Sequence, residues 1–270
     1  MTETPPGECP PLLFFDTGVG GLSVLRESIK LLPHAPIVYA ADYAGLPYGM
    51  KSEAELASRV PALLGRLVER YKPAIATIAC NTASTIALDH VRSALNIPVV
   101  GTVPAIKPAS LITKTGVIGL LGTKATIRQP YVDRLAADFA ADKILLRHAC
   151  PELVYAAEAK LRGEIPDPHV IDEAIAGLTG QPGGEKIDTV ILACTHFPLV
   201  RDELSAAARQ PIQFIDGAQG IARRIAYLTK DMTWSGNRQD SIFVTTGGLT
   251  DIESYRPAIR QYGIERYETL

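Results

Sequence analysis

No apolar stretch in this chain approaches the roughly 20 residues that a membrane helix requires. The longest runs, such as 115–121, are strand-sized, so no membrane span or membrane partner is expected. There is no block of five or more like charges, and the formal net charge is only −2. Without a basic face or tail, nucleic acid is excluded as a main partner. The start, Met-Thr-Glu-Thr-Pro-Pro-Gly-Glu, lacks the basic residues and apolar run of a secretory signal, which predicts a cytoplasmic protein. Cysteines are few: four, at positions 9, 80, 150 and 194, with no Cys-x-x-Cys and no framework spacing. A disulfide scaffold and a dithiol redox motif are thereby excluded, and each cysteine is read as a thiol.

What is present is an ordinary globular composition, 47% hydrophobic and 21% charged over 270 residues. That length exceeds one ordinary core and predicts two domains with a cleft between them. Short apolar runs at 12–15, 37–41, 74–79, 189–193 and 242–244 alternate with amphipathic segments, the pattern of parallel α/β architecture. Residues 53–71 place Leu56, Val60, Leu63, Leu64, Leu67 and Tyr71 at helical spacing, weakened by Pro61 and Gly65. After Gly101 the pattern repeats through 115–121, a helix-like 126–140, 143–146 and 189–193. The fold expected is therefore α/β, with two parallel-sheet domains. Segments 162–168 and 180–186, rich in Gly and Pro, read as surface connections.

The clearest internal echo joins Ile75-Ala-Thr-Ile-Ala-Cys80-Asn-Thr with Val190-Ile-Leu-Ala-Cys194-Thr-His. Each is an apolar strand ending in Ala-Cys, followed by polar, helix-starting residues. Ligands of open parallel sheets collect at the carboxyl ends of strands, so both thiols should face one crevice. Free helix N–H groups at such a junction are expected to lower a thiol's pKa. Moving a hydrogen between the two faces of an amino-acid α-carbon needs two opposed proton-transfer groups, roles Cys80 and Cys194 can fill. The developing carbanion also needs preorganised donors at the carboxylate, for which Asn81, Thr82 and Thr195 are adjacent. A lone cysteine in an apolar strand is usually a small core residue, but the paired context argues against that reading. Cys194-x-His196 lacks the spacing of a zinc site, and a nucleophilic cysteine with a histidine base would leave Cys80 unexplained.

Six motifs occur in order: Phe15-Asp-Thr-Gly-Val-Gly-Gly-Leu-Ser-Val, Leu46-Pro-Tyr-Gly, Ala79-Cys-Asn-Thr-Ala-Ser, Gly122-Thr-Lys-Ala-Thr, Cys150-Pro-Glu-Leu-Val with Glu158, and Ala193-Cys-Thr-His-Phe-Pro. Together they make the chain resemble the glutamate racemases of the aspartate/glutamate racemase superfamily from Leu12 to about Thr246. The resemblance implies two pseudo-symmetric α/β domains, residues 1–101 plus 216–270 carrying Cys80 and residues 102–215 carrying Cys194, with the active site between them. It implies Cys80 and Cys194 as the catalytic acid/bases, Asp16 beside Cys80, and Glu158 with His196 beside Cys194. Substrate contacts are implied at Asp16, Thr17, Tyr48, Gly49, Asn81, Thr82, Thr123, Thr126, Thr195 and His196. It further implies glutamate as substrate, D-glutamate for peptidoglycan synthesis as product, and a homodimer. Thr17 stands where many relatives have serine, and Gly122 where alanine is common; neither removes a needed group. With about ten residues before Leu12, regulation by a cell-wall precursor through a longer N-terminal extension is not expected.

Gly18-Val-Gly20-Gly21 after the first strand resembles a dinucleotide loop, but the third glycine is replaced by Ser23, so a tight strand-to-helix turn is the better reading. No lysine sits in the context of a pyridoxal phosphate anchor, and neither a cofactor nor a metal is expected. Cys9 and Cys150 read as incidental thiols, and His34, His90, His148 and His169 as surface or core histidines. The long 42–52 loop with Tyr48 is expected to order over bound substrate. Two alternatives remain open at this point. One is an aspartate or hydantoin racemase of the same superfamily; the other is a catalytically silent protein that binds a small acid or a protein partner such as a topoisomerase.

Overall fold

Residues of opposite parity in one strand go to opposite cores. Leu12, Phe14 and Tyr39 pack on one face of a sheet, and Leu13, Phe15 and Val38 on the other. Strands buried on both faces are the signature of a parallel sheet covered by helices. Each fully buried Phe or Leu contributes about 2 kcal/mol of hydrophobic stabilisation. The computed structural model of the protein describes residues 10–234 and 240–270; Cys9 lies outside the described residues.

Two all-parallel sheets result. The first contains β1 (Leu12–Asp16), β2 (Ile37–Ala41), β3 (Ile75–Ile78), β4 (Val99–Gly101), β9 (Ile242–Thr245) and β10 (Arg266–Thr269), in the order β10-β9-β2-β1-β3-β4. The second contains β5 (Val117–Gly122), β6 (Ile144–Ala149), β7 (Thr189–Ala193) and β8 (Gln213–Ile215), in the order β6-β5-β7-β8. The order 2-1-3-4 is thus repeated as 6-5-7-8, and β9 and β10 extend the first sheet beyond β2. The chain leaves the first sheet after β4 and returns to it with β9.

Around the sheets lie α1 (Leu22–Leu31), α2 (Glu53–Tyr71), α3 (Asn81–Ala94), α4 (Ile106–Ile112), α5 (Lys124–Ile127), α6 (Pro130–Phe139), α7 (Glu152–Leu161), α8 (Pro168–Thr179), α9 (Arg201–Ala207), α10 (Ala218–Leu228) and α11 (Arg256–Arg260). Helix α2 runs unbroken through Pro61 and buries Leu56, Val60, Leu63, Leu64 and Leu67. The Ser52 hydroxyl caps its N-terminus by accepting from the Glu55 N–H at 3.2 Å.

The helix anticipated over 126–140 is instead two. Pro130 cannot donate to a preceding carbonyl and holds Gln129 extended (φ −70°, ψ 132°), so α5 stops and α6 restarts with Pro130 in its first turn. The 162–168 and 180–186 connections lie largely exposed, and Gly163 and Gly183 adopt φ of 83° and 85°, a region that favours glycine. Strands β4, β8 and β10 are short and only partly buried, so they lack the continuous apolar run that marked β3 and β9. None of the helices is long and apolar enough to cross a membrane among the described residues.

Candidate active site

Strand order creates the site. From β1, successive connections go to opposite sides, so the carboxyl ends of β1 and β3 open a crevice. Strand β1 ends in Asp16, and two residues beyond β3 comes Cys80. The repeat opens between β5 and β7, where Thr123 and Cys194 stand. These ends meet in one small cavity of about 50 Å³, room for only a few waters. Of the residues singled out from the sequence, Asp16, Thr17, Tyr48, Gly49, Cys80, Asn81, Thr82, Thr123, Cys194, Thr195 and His196 line it. Glu158 and Thr126 stand behind the wall, each bonded to a lining residue. Leu46, Pro47 and Val154 complete the lining; each falls within one of the six motifs, though none was singled out as a site residue.

On the first wall, Cys80 is itself the N-cap of α3: its Sγ accepts the Ala83 N–H at 3.5 Å. The side chain is only 7% exposed. Burial, followed by the charge of Asp16, pushes the thiol well above its ordinary value, and the helix N–H only partly offsets this. The expectation that the helix terminus would lower this pKa is therefore corrected: desolvation and a neighbouring carboxylate outweigh one long N–H···S contact. Asp16 is completely buried and accepts from the Thr17 N–H at 2.7 Å and the Gly21 N–H at 2.5 Å. Burial raises its carboxyl to about 6, while the His196 charge and those N–H groups act in the opposite sense.

The second wall differs. Cys194 is followed by a 3-10 turn, Phe197–Val200, and not by an α-helix, so the echo with Cys80 does not extend to a helix terminus. Its companion is His196, whose Nδ1 lies 3.9 Å from Cys194 Sγ and whose Nε2 lies 3.3 Å from Glu158 Oε1. Burial alone would lower the His196 pKa, but the contacts with Cys194 and Glu158 win and hold it well above its ordinary value. Glu158 is also buried, and its Oε2 accepts from the Tyr255 hydroxyl at 3.3 Å.

Between the walls, Thr82, Thr123 and Thr126 form a hydroxyl triangle with edges of 3.0, 3.2 and 3.3 Å, joining α3 to α5. The buried Asn81 side-chain oxygen has no partner among the described residues, leaving an acceptor on a lining residue for a bound ligand. Tyr48 is held over the cavity by donating to Asp42 at 2.6 Å. Arg59 donates twice to that buried carboxylate, at 2.6 and 2.7 Å, and Thr246 donates at 2.6 Å. Arg59 and these hydroxyls overcome the effect of burial and keep Asp42 below its ordinary value. Neither Asp42 nor Arg59 announced itself in the sequence; a carboxylate at a strand's carboxyl end was the one available hint.

The first glycine loop is explained by close approach. A Cβ on Gly20 would lie 2.4 Å from His196 Nδ1, and one on Gly21 would lie 2.8 Å from the Tyr39 hydroxyl. Ser23, where a dinucleotide loop needs glycine, instead places its hydroxyl 2.8 Å from the Thr195 carbonyl and ties the two walls together. Cys150 is buried away from the cavity with its thiol pushed by burial to about 11. His34, His90 and His169 are exposed and His148 is half-buried. No group of three or more His, Cys, Asp or Glu side chains is gathered to hold a metal among the described residues.

Fold and site together define a class of molecule: two parallel α/β sheets in tandem, each presenting one thiol to a shared small cavity. Residues 22–225 match the Asp/Glu/Hydantoin racemase model, and the chain belongs to that family. It is 61% identical over 266 residues to a glutamate racemase of Sphingopyxis alaskensis, covering 98% of this chain and 99% of that one. A glutamate racemase of Haemophilus influenzae is 40% identical over 262 residues, 97% of this chain and 96% of the relative. The crystal structure of Escherichia coli glutamate racemase, in complex with L-glutamate and the activator UDP-MurNAc-ala, superposes with a TM-score of 0.90. Its sequence is 39% identical, and the match covers 97% of this chain and 98% of that chain.

Proposed function

We infer that this chain is an isomerase that interconverts L- and D-glutamate by a two-base mechanism without a cofactor, supplying D-glutamate for peptidoglycan synthesis. The observation that carries the reading is the pair of thiols lining one cavity, Cys80 from the first sheet and Cys194 from the second, in a chain 61% identical to a glutamate racemase. One sulfur, as thiolate, takes the α-proton; the opposite sulfur, as thiol, gives its own proton to the other face. The enzyme is left with the two protonation states exchanged and no net change in proton count. Charge developing on the substrate carboxylate is met by neutral donors, the role of Asn81, Thr82 and Thr195, a reading supported by their lying in the lining of the cavity. Asp16 serves the Cys80 wall, and His196 with Glu158 the Cys194 wall. Thr17, Tyr48, Gly49, Thr123 and Thr126 complete the substrate site.

Segments 1–101 plus 216–270 and segment 102–215 act as two domains that part to admit substrate, because a cavity of about 50 Å³ is too small for an amino acid. Residues 42–52, carrying Tyr48, are the loop that seals it. The protein acts in the cytoplasm, as a homodimer.

Incubating each enantiomer of glutamate in deuterated water tests this reading. The newly formed enantiomer should carry deuterium at the α-carbon, and circular dichroism of L-glutamate should decay to zero. Cys80→Ser and Cys194→Ser should each lower the rate about 10³-fold. Full activity in either variant, or turnover of aspartate or a hydantoin with none of glutamate, would reassign the site.

A further inference from the structure

The buried Glu158 carboxylate uses one oxygen on His196 and offers the other to a residue from the far end of the chain. Tyr255, beside α11, donates its hydroxyl to Glu158 Oε2 at 3.3 Å. That hydroxyl in turn accepts from Arg162 Nη1 at 2.8 Å. Arg162 follows α7 one helical turn after Glu158, so a single tyrosine oxygen bridges two residues on the same helix face. Arg162 is itself aimed by Glu164, which accepts from Nε and Nη2 at 2.9 Å each. The direction of every bond is set by chemistry: a guanidinium only donates and an ionised carboxylate only accepts, so the single phenolic proton must point at Glu158.

We propose that Tyr255, oriented by Arg162, is a positioning residue for proton transfer, fixing Glu158 so that its free oxygen holds His196 against Cys194. Packing alone does not call for this hydroxyl. The Tyr255 ring is 5% exposed, stands 6.2 Å from the Tyr43 ring and lies under the Arg162 guanidinium at 5.6 Å, contacts a phenylalanine would keep. Because Tyr43 belongs to the 42–52 loop, Tyr255 also sits between that loop and the His196 wall.

The groups facing this chain of contacts are few. Cys194, Glu158 and Asp16 face His196, and His196, Tyr255 and Tyr43 face Glu158. Remove the Tyr255 hydroxyl and Glu158 Oε2 is left buried without its donor, so the carboxylate is no longer held with Oε1 against His196. With the Glu158 oxygen held less closely against it, His196 loses its proton at lower pH.

The inference rests on the reading of Cys194 and His196 as an acid/base pair, and the test separates the two. In Tyr255→Phe, kcat should fall about tenfold with KM changed less than about twofold, the scale expected for one hydrogen bond to a charged group. The alkaline limb of the pH–rate profile should move to lower pH. The His196 imidazole resonance, followed by NMR without substrate, should titrate at lower pH than in the parent protein. An unmoved His196 titration in an active parent overturns the role of Tyr255 alone, whereas an inactive parent removes the underlying function. Should Tyr255→Phe fail to fold, Arg162→Met leaves the tyrosine in place and removes its orientation. It should shift kcat and the titration in the same sense by a smaller factor, and parent-like values in both would sink the proposal.

Discussion

The two walls of the cavity are built on one strand order and finished with opposite chemistry. In the first, Cys80 caps a 14-residue helix and has a completely buried carboxylate, Asp16, as its neighbour. In the second, Cys194 precedes a short 3-10 turn and has a histidine held by a buried glutamate. Burial is nearly the same, 7% and 8%, so desolvation does not distinguish the two sulfurs. The sign of the companion does. An anion beside Cys80 favours the thiol, while a protonated His196 beside Cys194 offers a partner to a thiolate. A repeated topology can therefore bring two equal groups to one cavity and still give them neighbours of opposite sign.

Breaking the second wall should have the larger effect. Glu158→Gln removes the charge that helps hold His196 protonated, and kcat should fall about a hundredfold. Because the folded His196 pKa is raised, its imidazolium is present below that value and lost as pH rises through it. In Glu158→Gln that loss should come at lower pH, drawing the alkaline limb of the rate profile with it. A parent-like profile would mean that Glu158 does not set the state of His196.

On the first wall, Asp16→Asn should lower kcat about tenfold. The parent protein should show an acid limb falling through about pH 6, where Asp16 titrates, and the variant should lack it. Losing the carboxylate also removes a cause of the elevated Cys80 pKa, so iodoacetamide should alkylate Cys80 faster at pH 8 without substrate. Peptide mapping should find Cys194 labelling unchanged; acceleration at both sulfurs would show that the walls are not independent.

The smallest effect on chemistry should come from Asp42→Asn, which loosens Tyr48 and Arg59 without touching either sulfur. Urea unfolding at pH 7 should show a loss of about 2 kcal/mol, the scale of hydrogen bonds to a buried charge. Since Asp42 lies below its ordinary value in the fold, its contribution is complete above the unfolded value near 4 and disappears as pH falls through the folded one. Parent and variant should therefore converge in acid, and a gap that persists there would assign the loss to packing.

Both thiol-bearing strands, 75–79 and 189–193, were legible because each is a short apolar run closed by Ala-Cys, and the six motifs drew in most of the cavity lining. The break at Pro130 was also within reach of local rules, yet the apolar spacing on either side concealed it. Strands β4, β8 and β10 were not legible, since short strands that are partly exposed carry no continuous apolar run. Tyr255, Asp42 and Arg59 were missed for a related reason: aromatic and charged residues outside a motif look like ordinary surface or core until their partners are known. The lowered thiol pKa expected for Cys80 followed from its helix terminus; the resemblance set Asp16 beside it, but the burial of both groups, which turns the shift upward, has no local signature in the sequence.

By itself the sequence determined the α/β class, the placement of both cysteines at strand ends and the family, because periodicity and motif are properties of neighbouring residues. Only the tertiary structure decided how deeply each thiol and its companion are buried, which way those companions act on proton affinity, and which hydroxyl steadies Glu158. Proton affinity depends on burial and on charges a few ångströms away, and residues as far apart as Glu158 and Tyr255 acquire that proximity only when the sheets are assembled.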